Sequence, residues 1–167
     1  RQYSVDGVII ATSTLPPDFA LAFREAGIPV VHTFGRYAPR PKVHTVGINN
    51  LACGELAAET LLSRGYRSLA FIGGPEFATS TQDRVAGFKR RLDAAGIRLA
   101  DVRFADAYAY EAGRLAMASL VGRGGIEAVF CGDDLICMGA MDAARDAGLS
   151  VPGDIGFLGF NDMPMAC

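Results

Sequence analysis

The sequence predicts an α/β protein with a largely parallel sheet, and three observations predict it. Short apolar runs alternate with longer stretches in which apolar residues recur at helical spacing. A glycine placed to stop a helix recurs just before an apolar run, in Ala26-Gly27-Ile28-Pro29, Ala95-Gly96-Ile97-Arg98 and Ala147-Gly148-Leu149-Ser150, with Arg64-Gly65-Tyr66-Arg67 as a looser version. Half of the 167 residues are hydrophobic, enough for a sizeable core. The junctions are unequally spaced, so they reflect shared turn physics rather than a repeat.

Val5 to Ala11 is a nearly continuous apolar run, broken by Asp6-Gly7, and reads as a buried strand. Past the polar Thr12-Ser13-Thr14, a helix is expected to start near Pro17-Asp18: proline suits a first turn and the carboxylate suits the positive helix end. Phe19, Leu21, Ala22, Phe23 and Ala26 fill that helix, and Gly27 ends it. Ile28-Pro29-Val30-Val31 begins a second strand. Gly35 to Lys42 carries three basic side chains around Tyr37, but Pro39 and Pro41 forbid regular structure, so a solvated loop is expected. Val43 to Ile48 is short and extended; Asn49 or Asn50 can then cap a helix running to about Arg64.

Leu69-Ala70-Phe71-Ile72, ending abruptly at Gly73-Gly74-Pro75, reads as a buried strand, and Val85, Phe88, Leu92 and Ala95 give the following helix its period. A weak strand is expected over 101–104, a helix over 110–121 and a strand over Ala128-Val129-Phe130-Cys131. A helix from Asp133-Asp134 to just before Gly148 and a strand over 155–158 complete the alternation.

The net charge of −2 and pI near 5.7 argue against this segment itself gripping a nucleic-acid backbone. No run approaches the length needed to cross a membrane, and the first residues lack the apolar segment of a signal peptide. Cys53, Cys131, Cys137 and Cys167 show no C-x-x-C pairing, so they read as small buried hydrophobes in a reducing compartment. His32 and His44 lie in different segments without a nearby acidic partner, which makes them poor metal candidates, and either could be a loop residue. Neither a metal nor a cofactor is expected.

Enzymatic readings fare poorly. The Asp133-Asp134 pair could resemble a magnesium-binding acidic pair, but there is no phosphate-binding loop, nucleophile elbow or readable catalytic triad. One aspartate capping the helix and the other favouring its dipole accounts for both. Gly73-Gly74-Pro75 is not a dinucleotide fingerprint. A binding site fits better. In a parallel sheet the loops at the carboxyl ends of the strands share one side, which would gather Phe34, Ser80, Arg84, Tyr108, Asp133 and Asn161. Aromatic rings, hydrogen-bonding groups and one guanidinium suit a small polar ligand with an apolar face, a sugar or a nucleoside. Arg84 could instead pair with Asp83, and Tyr108 could simply pack.

The chain resembles the effector-binding core of lactose-repressor-type (LacI/GalR) transcription regulators. The matching residues are Val5-Asp6-Gly7-Val8-Ile9-Ile10, Ile28-Pro29-Val30-Val31, Val46-Gly47-Ile48-Asn49-Asn50 with Gly54, and Arg64 through Pro75. The match continues through Arg84-Val85-Ala86-Gly87-Phe88, Cys131-Gly132-Asp133-Asp134 with Met138-Gly139-Ala140, Val151-Pro152-Gly153-Asp154-Ile155 and Gly159-Phe160-Asn161-Asp162. The resemblance implies a periplasmic-binding-protein-like α/β fold of two Rossmann-like parallel-sheet lobes, truncated here at both ends. Residues 1–65 would form part of the N-terminal lobe, 66–160 most of the C-terminal lobe, and 161–167 the start of the crossover back; the DNA-binding helix-turn-helix would be absent from this chain.

By the same resemblance Arg84 is the effector-clamping arginine, Asp133 the polar residue after a second-lobe strand, and Asn161 the crossover position usually occupied by aspartate. Tyr108 falls where an aromatic often stacks on the effector, Phe34 and Asn49 on cleft-lining positions, and Ser80 on a hydrogen-bonding one. Ala78 replaces a basic residue of purine-type members and Thr33 an aspartate of many members, which leaves a neutral sugar somewhat ahead. The implied function is non-enzymatic: a cytoplasmic, homodimeric regulator in which a sugar or nucleoside-like effector allosterically changes operator-DNA binding. Residues Leu135, Met138 and Met141 could add to a dimer surface or to the core. A periplasmic sugar-binding protein of a transport system shares the architecture and is the alternative.

Overall fold

The computed structural model describes residues 5–12, 17–36 and 43–166. Among the described residues, seven strands and five α-helices follow one another in near alternation, β3 coming after β2 with no described helix between them. β1 (Val8–Ala11), α1 (Pro17–Glu25), β2 (Val30–Thr33) and β3 (His44–Val46) precede α2 (Asn50–Ser63). β4 (Leu69–Gly73), α3 (Thr79–Ala94), β5 (Asp101–Phe104) and α4 (Tyr110–Val121) follow, and β6 (Ala128–Cys131), α5 (Asp134–Asp146) and β7 (Gly156–Leu158) complete the series, with a short 3-10 turn at Pro164–Ala166. The strands form two sheets, ordered β1-β2-β3 and β5-β4-β6-β7, and every pairing is parallel. The expected α/β fold is what forms. Tyr37 and most of the expected basic loop, together with Cys167, lie outside the described residues.

The second sheet is covered on both faces, which explains why β4 and β6 read as unbroken apolar runs. Leu69, Phe71, Ala128 and Phe130 point to one side and pack with Ala57, Ala58 and Leu61 of α2 and Phe88 and Leu92 of α3. Phe71, Phe88 and Phe130 form a cluster of tilted rings, with centroids 5.2–6.3 Å apart. Ala70, Ile72, Val129 and Cys131 point to the other side, against Ala112, Ala116, Met117 and Leu120 of α4 and Ile136, Ala140 and Ala144 of α5. The first sheet is far less covered: Ile9 is 76 % exposed and Val46 64 %.

The packing of α2 bears on the stretch just before residue 65. Helix α2, placed with the first lobe, lies on the second sheet against α3. The two helix backbones meet at glycines: a Cβ on Gly54 would stand 2.1 Å from the Arg84 carbonyl oxygen, and one on Gly87 1.9 Å from that of Leu51. Only residues without a side chain permit this approach. Their separation in sequence hides the pairing.

The histidines are also not in loops. His32 is buried in β2 with Nε2 2.8 Å from the Thr12 carbonyl oxygen, and His44 begins β3. An internal hydrogen-bond partner is what lets a polar ring occupy an inward strand position.

Candidate functional site

All strands of the second sheet run the same way, so the loops after β4, β5, β6 and β7 gather at one edge. Arg84 lies one turn into α3 and is buried there, at 9 % exposure. Its Nε donates to Asn50 Oδ1 at 2.9 Å, and Nη1 to the Gly132 carbonyl oxygen at 2.5 Å. The guanidinium carbon stands 3.7 Å from the centroid of the Phe160 ring, a cation–π contact. The arginine is thus held by α2, by the β6–α5 loop and by the segment after β7, while Nη2 carries no hydrogen bond to another described residue. Since every buried polar side-chain atom among the described residues has a partner, Nη2 is the part of the fork left open to solvent. Burial lowers the Arg84 pKa, opposed by the acidic groups of Tyr108, Cys53 and Asp133; an arginine so placed stays cationic.

Asp133 is the N-cap of α5, its Oδ1 accepting from the Leu135 amide at 2.8 Å. Its Oδ2 accepts from Asn161 Nδ2 at 2.9 Å. Burial raises its pKa, against the lowering effect of the first-turn amides and of Arg84. Tyr108 lies in the β5–α4 loop with its ring against Gly74, where a Cβ would come within 2.2 Å of Cε1. Its hydroxyl is 3.1 Å from Ser80 Oγ and 2.9 Å from Thr81 Oγ1, which ties the loop after β5 to the first turn of α3.

Five of the seven expected site residues therefore share one edge of the second sheet: Ser80, Arg84, Tyr108, Asp133 and Asn161. The other two stand apart from them. Phe34 follows β2 on the first sheet, 67 % exposed, with a φ of 63°. Asn49 caps α2, its Oδ1 accepting from Ala52 N at 3.2 Å. Asp83 pairs with Arg36 rather than with Arg84: Arg36 Nη2 lies 2.7 Å from Asp83 Oδ1, joining the segment after β2 to α3.

Three residues of the site were not among the expected ones. Asn50, adjacent to the actual cap, is one step further around α2 and faces Arg84. Phe160 was visible as a motif residue, but nothing in its sequence neighbourhood marks it as the arginine's seat. Asp134, expected to serve the helix dipole, is 4 % exposed and holds the chain after β7, accepting from Phe160 N and Met163 N, each at 2.8 Å.

Cys131 and Cys137 are buried and free, Cys53 is half-buried and free, and burial pushes the Cys131 thiol well up. Among the described residues no group of histidines, cysteines and carboxylates could hold a metal, and no helix is long and apolar enough to cross a membrane.

A cation and an acid-amide pair thus stand together at the carboxyl edge of a parallel sheet, where α/β domains hold their ligands. Residues 58–166 match the family described as periplasmic binding protein-like domain. The transcriptional regulator CelR of Thermobifida fusca is 32 % identical over 167 residues, covering 97 % of this chain and 48 % of that protein. A LacI-family regulator from Silicibacter pomeroyi superposes with a TM-score of 0.83 at 27 % identity, over 96 % of this chain and 49 % of that one. A CelR–cellobiose complex gives 0.82 at 32 % identity, over 95 % and 49 %. The chain belongs to the periplasmic-binding-protein-like family, as an effector-binding core of the LacI/GalR type. It spans about half the length of the curated relatives it matches.

Proposed function

We propose that this chain is the sensing core of a LacI-type transcription regulator and that it binds a small, polar, sugar- or nucleoside-like effector at the carboxyl edge of the second sheet. The observation that carries the proposal is the Arg84 fork. Two of its nitrogens are fixed by Asn50 and Gly132, its face is fixed by Phe160, and Nη2 is left for a ligand oxygen. Asp133 and Asn161 supply an acceptor and an amide beside it, and Ser80 and Tyr108 supply hydroxyls. Phe34 and Asn49, on the facing sheet and at the start of α2, are proposed to line the other wall. Cellobiose in the complex of the related CelR supports a carbohydrate over an anionic effector, as does Ala78 at the head of α3.

In this reading the ligand holds two sheets together, and the arrangement that fits it gains population. A homodimer would convey that shift to operator DNA through a helix-turn-helix outside this chain, in the cytoplasm, and no residue would act catalytically. The test is a thermal-shift screen of the full-length protein against neutral sugars and nucleosides. A bound effector raises the melting temperature in proportion to the logarithm of its concentration and changes operator affinity. A compound that raised melting without altering operator binding would contradict the allosteric part.

A further inference from the structure

We propose that Asp134 is the positioning residue of this site: one buried carboxylate sets both the ring beneath Arg84 and the amide offered to Asp133. The inference rests on the effector-cleft reading for its consequence, but the clamp itself stands on geometry. Both carboxylate oxygens are used, Oδ1 by Phe160 N and Oδ2 by Met163 N. Between those two amides lie Asn161 and Asp162, with φ of 111° and 57°, a region uncommon for residues with a side chain and entered most readily by asparagine and aspartate. Asp134 holds both flanks of that turn.

Packing encloses the turn only in part, since Asn161 and Asp162 are exposed. Phe160, Asn161 and Asp162 line a cavity of about 480 Å³ together with Met138, Met141 and Phe157. Phe160 packs against the core cluster of Phe71, Phe88 and Phe130 and its ring meets Arg84, while the residue also borders the cavity, so the anchored backbone completes its placement. The room beside the carboxylate is equally restricted. A Cβ on Gly159 would stand 2.4 Å from Asp134 Oδ1. An asparagine at 134 offers one acceptor oxygen where two amides need one each, so the turn must release Phe160 or Met163.

A carboxylate with the same habit at the opposite end of the sheet supplies the control. Glu127 Oε2 accepts from Arg67 N at 2.5 Å and Ser68 N at 3.0 Å, far from Arg84. Asp134→Asn and Glu127→Gln are to be compared in the full-length protein by amide hydrogen exchange, by the NMR resonance of Arg84 Nε–H, and by calorimetry with cellobiose, ribose and adenosine as probes. Asp134→Asn is expected to speed exchange at Phe160 or Met163 by about tenfold or more, to move the Arg84 resonance, and to weaken the bound probe by about tenfold. Glu127→Gln is expected to lower stability and leave probe affinity unchanged. If Asp134→Asn does not fold, Gly159→Ala displaces the same carboxylate without altering charge and takes its place. Unchanged exchange and an unmoved Arg84 resonance overturn the clamp. Equal losses of affinity in both variants reduce Asp134 to a general stabilising residue and overturn the positioning role. Failure of the wild-type protein to bind any probe counts against the cleft reading, while exchange and the Arg84 signal still decide the clamp.

Discussion

Arg84 and Phe160 meet face to face, the guanidinium carbon 3.7 Å from the ring centroid, although one enters α3 and the other leaves β7. The contact ties the two ends of the second sheet's chain path to one side chain. A planar cation needs a flat seat and in-plane acceptors to keep one orientation, and here Phe160, Asn50 and Gly132 supply them.

Arg84→Ala in the full-length protein is expected to weaken effector binding by about 10- to 100-fold, the worth of a charge-assisted hydrogen bond, without unfolding the domain. Titration calorimetry on a chain whose circular dichroism is unchanged provides the check. An unaltered affinity would remove Arg84 from the site.

Phe160→Leu keeps an apolar side chain but removes the ring face. Loss of the cation–π contact is expected to cost about 1 kcal/mol of stability, read as a lower urea midpoint at constant slope. The same substitution in an Arg84→Ala background should cost less. Additive losses would show that the ring and the guanidinium do not interact.

Gly87→Ala places a methyl group 1.9 Å from the Leu51 carbonyl oxygen, at the closest approach of α2 and α3. Overpacking of this kind is expected to destabilise the chain by about 2 kcal/mol or more, and to disturb the Asn50–Arg84 hydrogen bond. Gly122→Ala is the matched control, because nothing lies within 4 Å of its Cβ position. Equal melting temperatures for the two variants would refute the close crossing.

Asp133 gives a pH signature of definite sign. Burial raises its pKa. Between about pH 4, where an unfolded aspartate titrates, and the higher folded value, the native chain keeps a proton that the unfolded chain has released. The stability from this group is full below that interval and is lost as the pH rises through the folded pKa. Asp133→Asn, whose side-chain oxygen still caps α5, removes the dependence. Urea midpoints measured across the acid range should therefore show the variant gaining on the wild type as pH rises; a gain with falling pH would mean the carboxylate is stabilised, not burdened, by its surroundings.

The alternation of strands and helices was legible because its punctuation is local. Gly27, Gly65, Gly96 and Gly148 all adopt positive φ where the junctions predicted helix ends. The apolar runs of β4 and β6 announced a sheet covered on both faces. Arg84, Asp133 and Asn161 were legible as strand-end residues, with the family pattern adding their roles. What surrounds them was not, because it depends on tertiary phase. Asn49 and Asn50 could each cap a helix on paper; one does, and its neighbour, about a hundred degrees further around the axis, holds the arginine instead. The partner of Asp83 is open in the sequence for the same reason, since Arg36 arrives from a different sheet.

The seating of α2 on the second sheet bears on recombination between relatives. A chimaera cut at the apparent boundary near residue 65 would graft a foreign helix onto α3 and break the Gly54–Gly87 approach and the Asn50–Arg84 bond together. A cut in the extended residues 47–49 carries α2 across with its sheet. Swapped sensing cores should tolerate that second junction and reject the first.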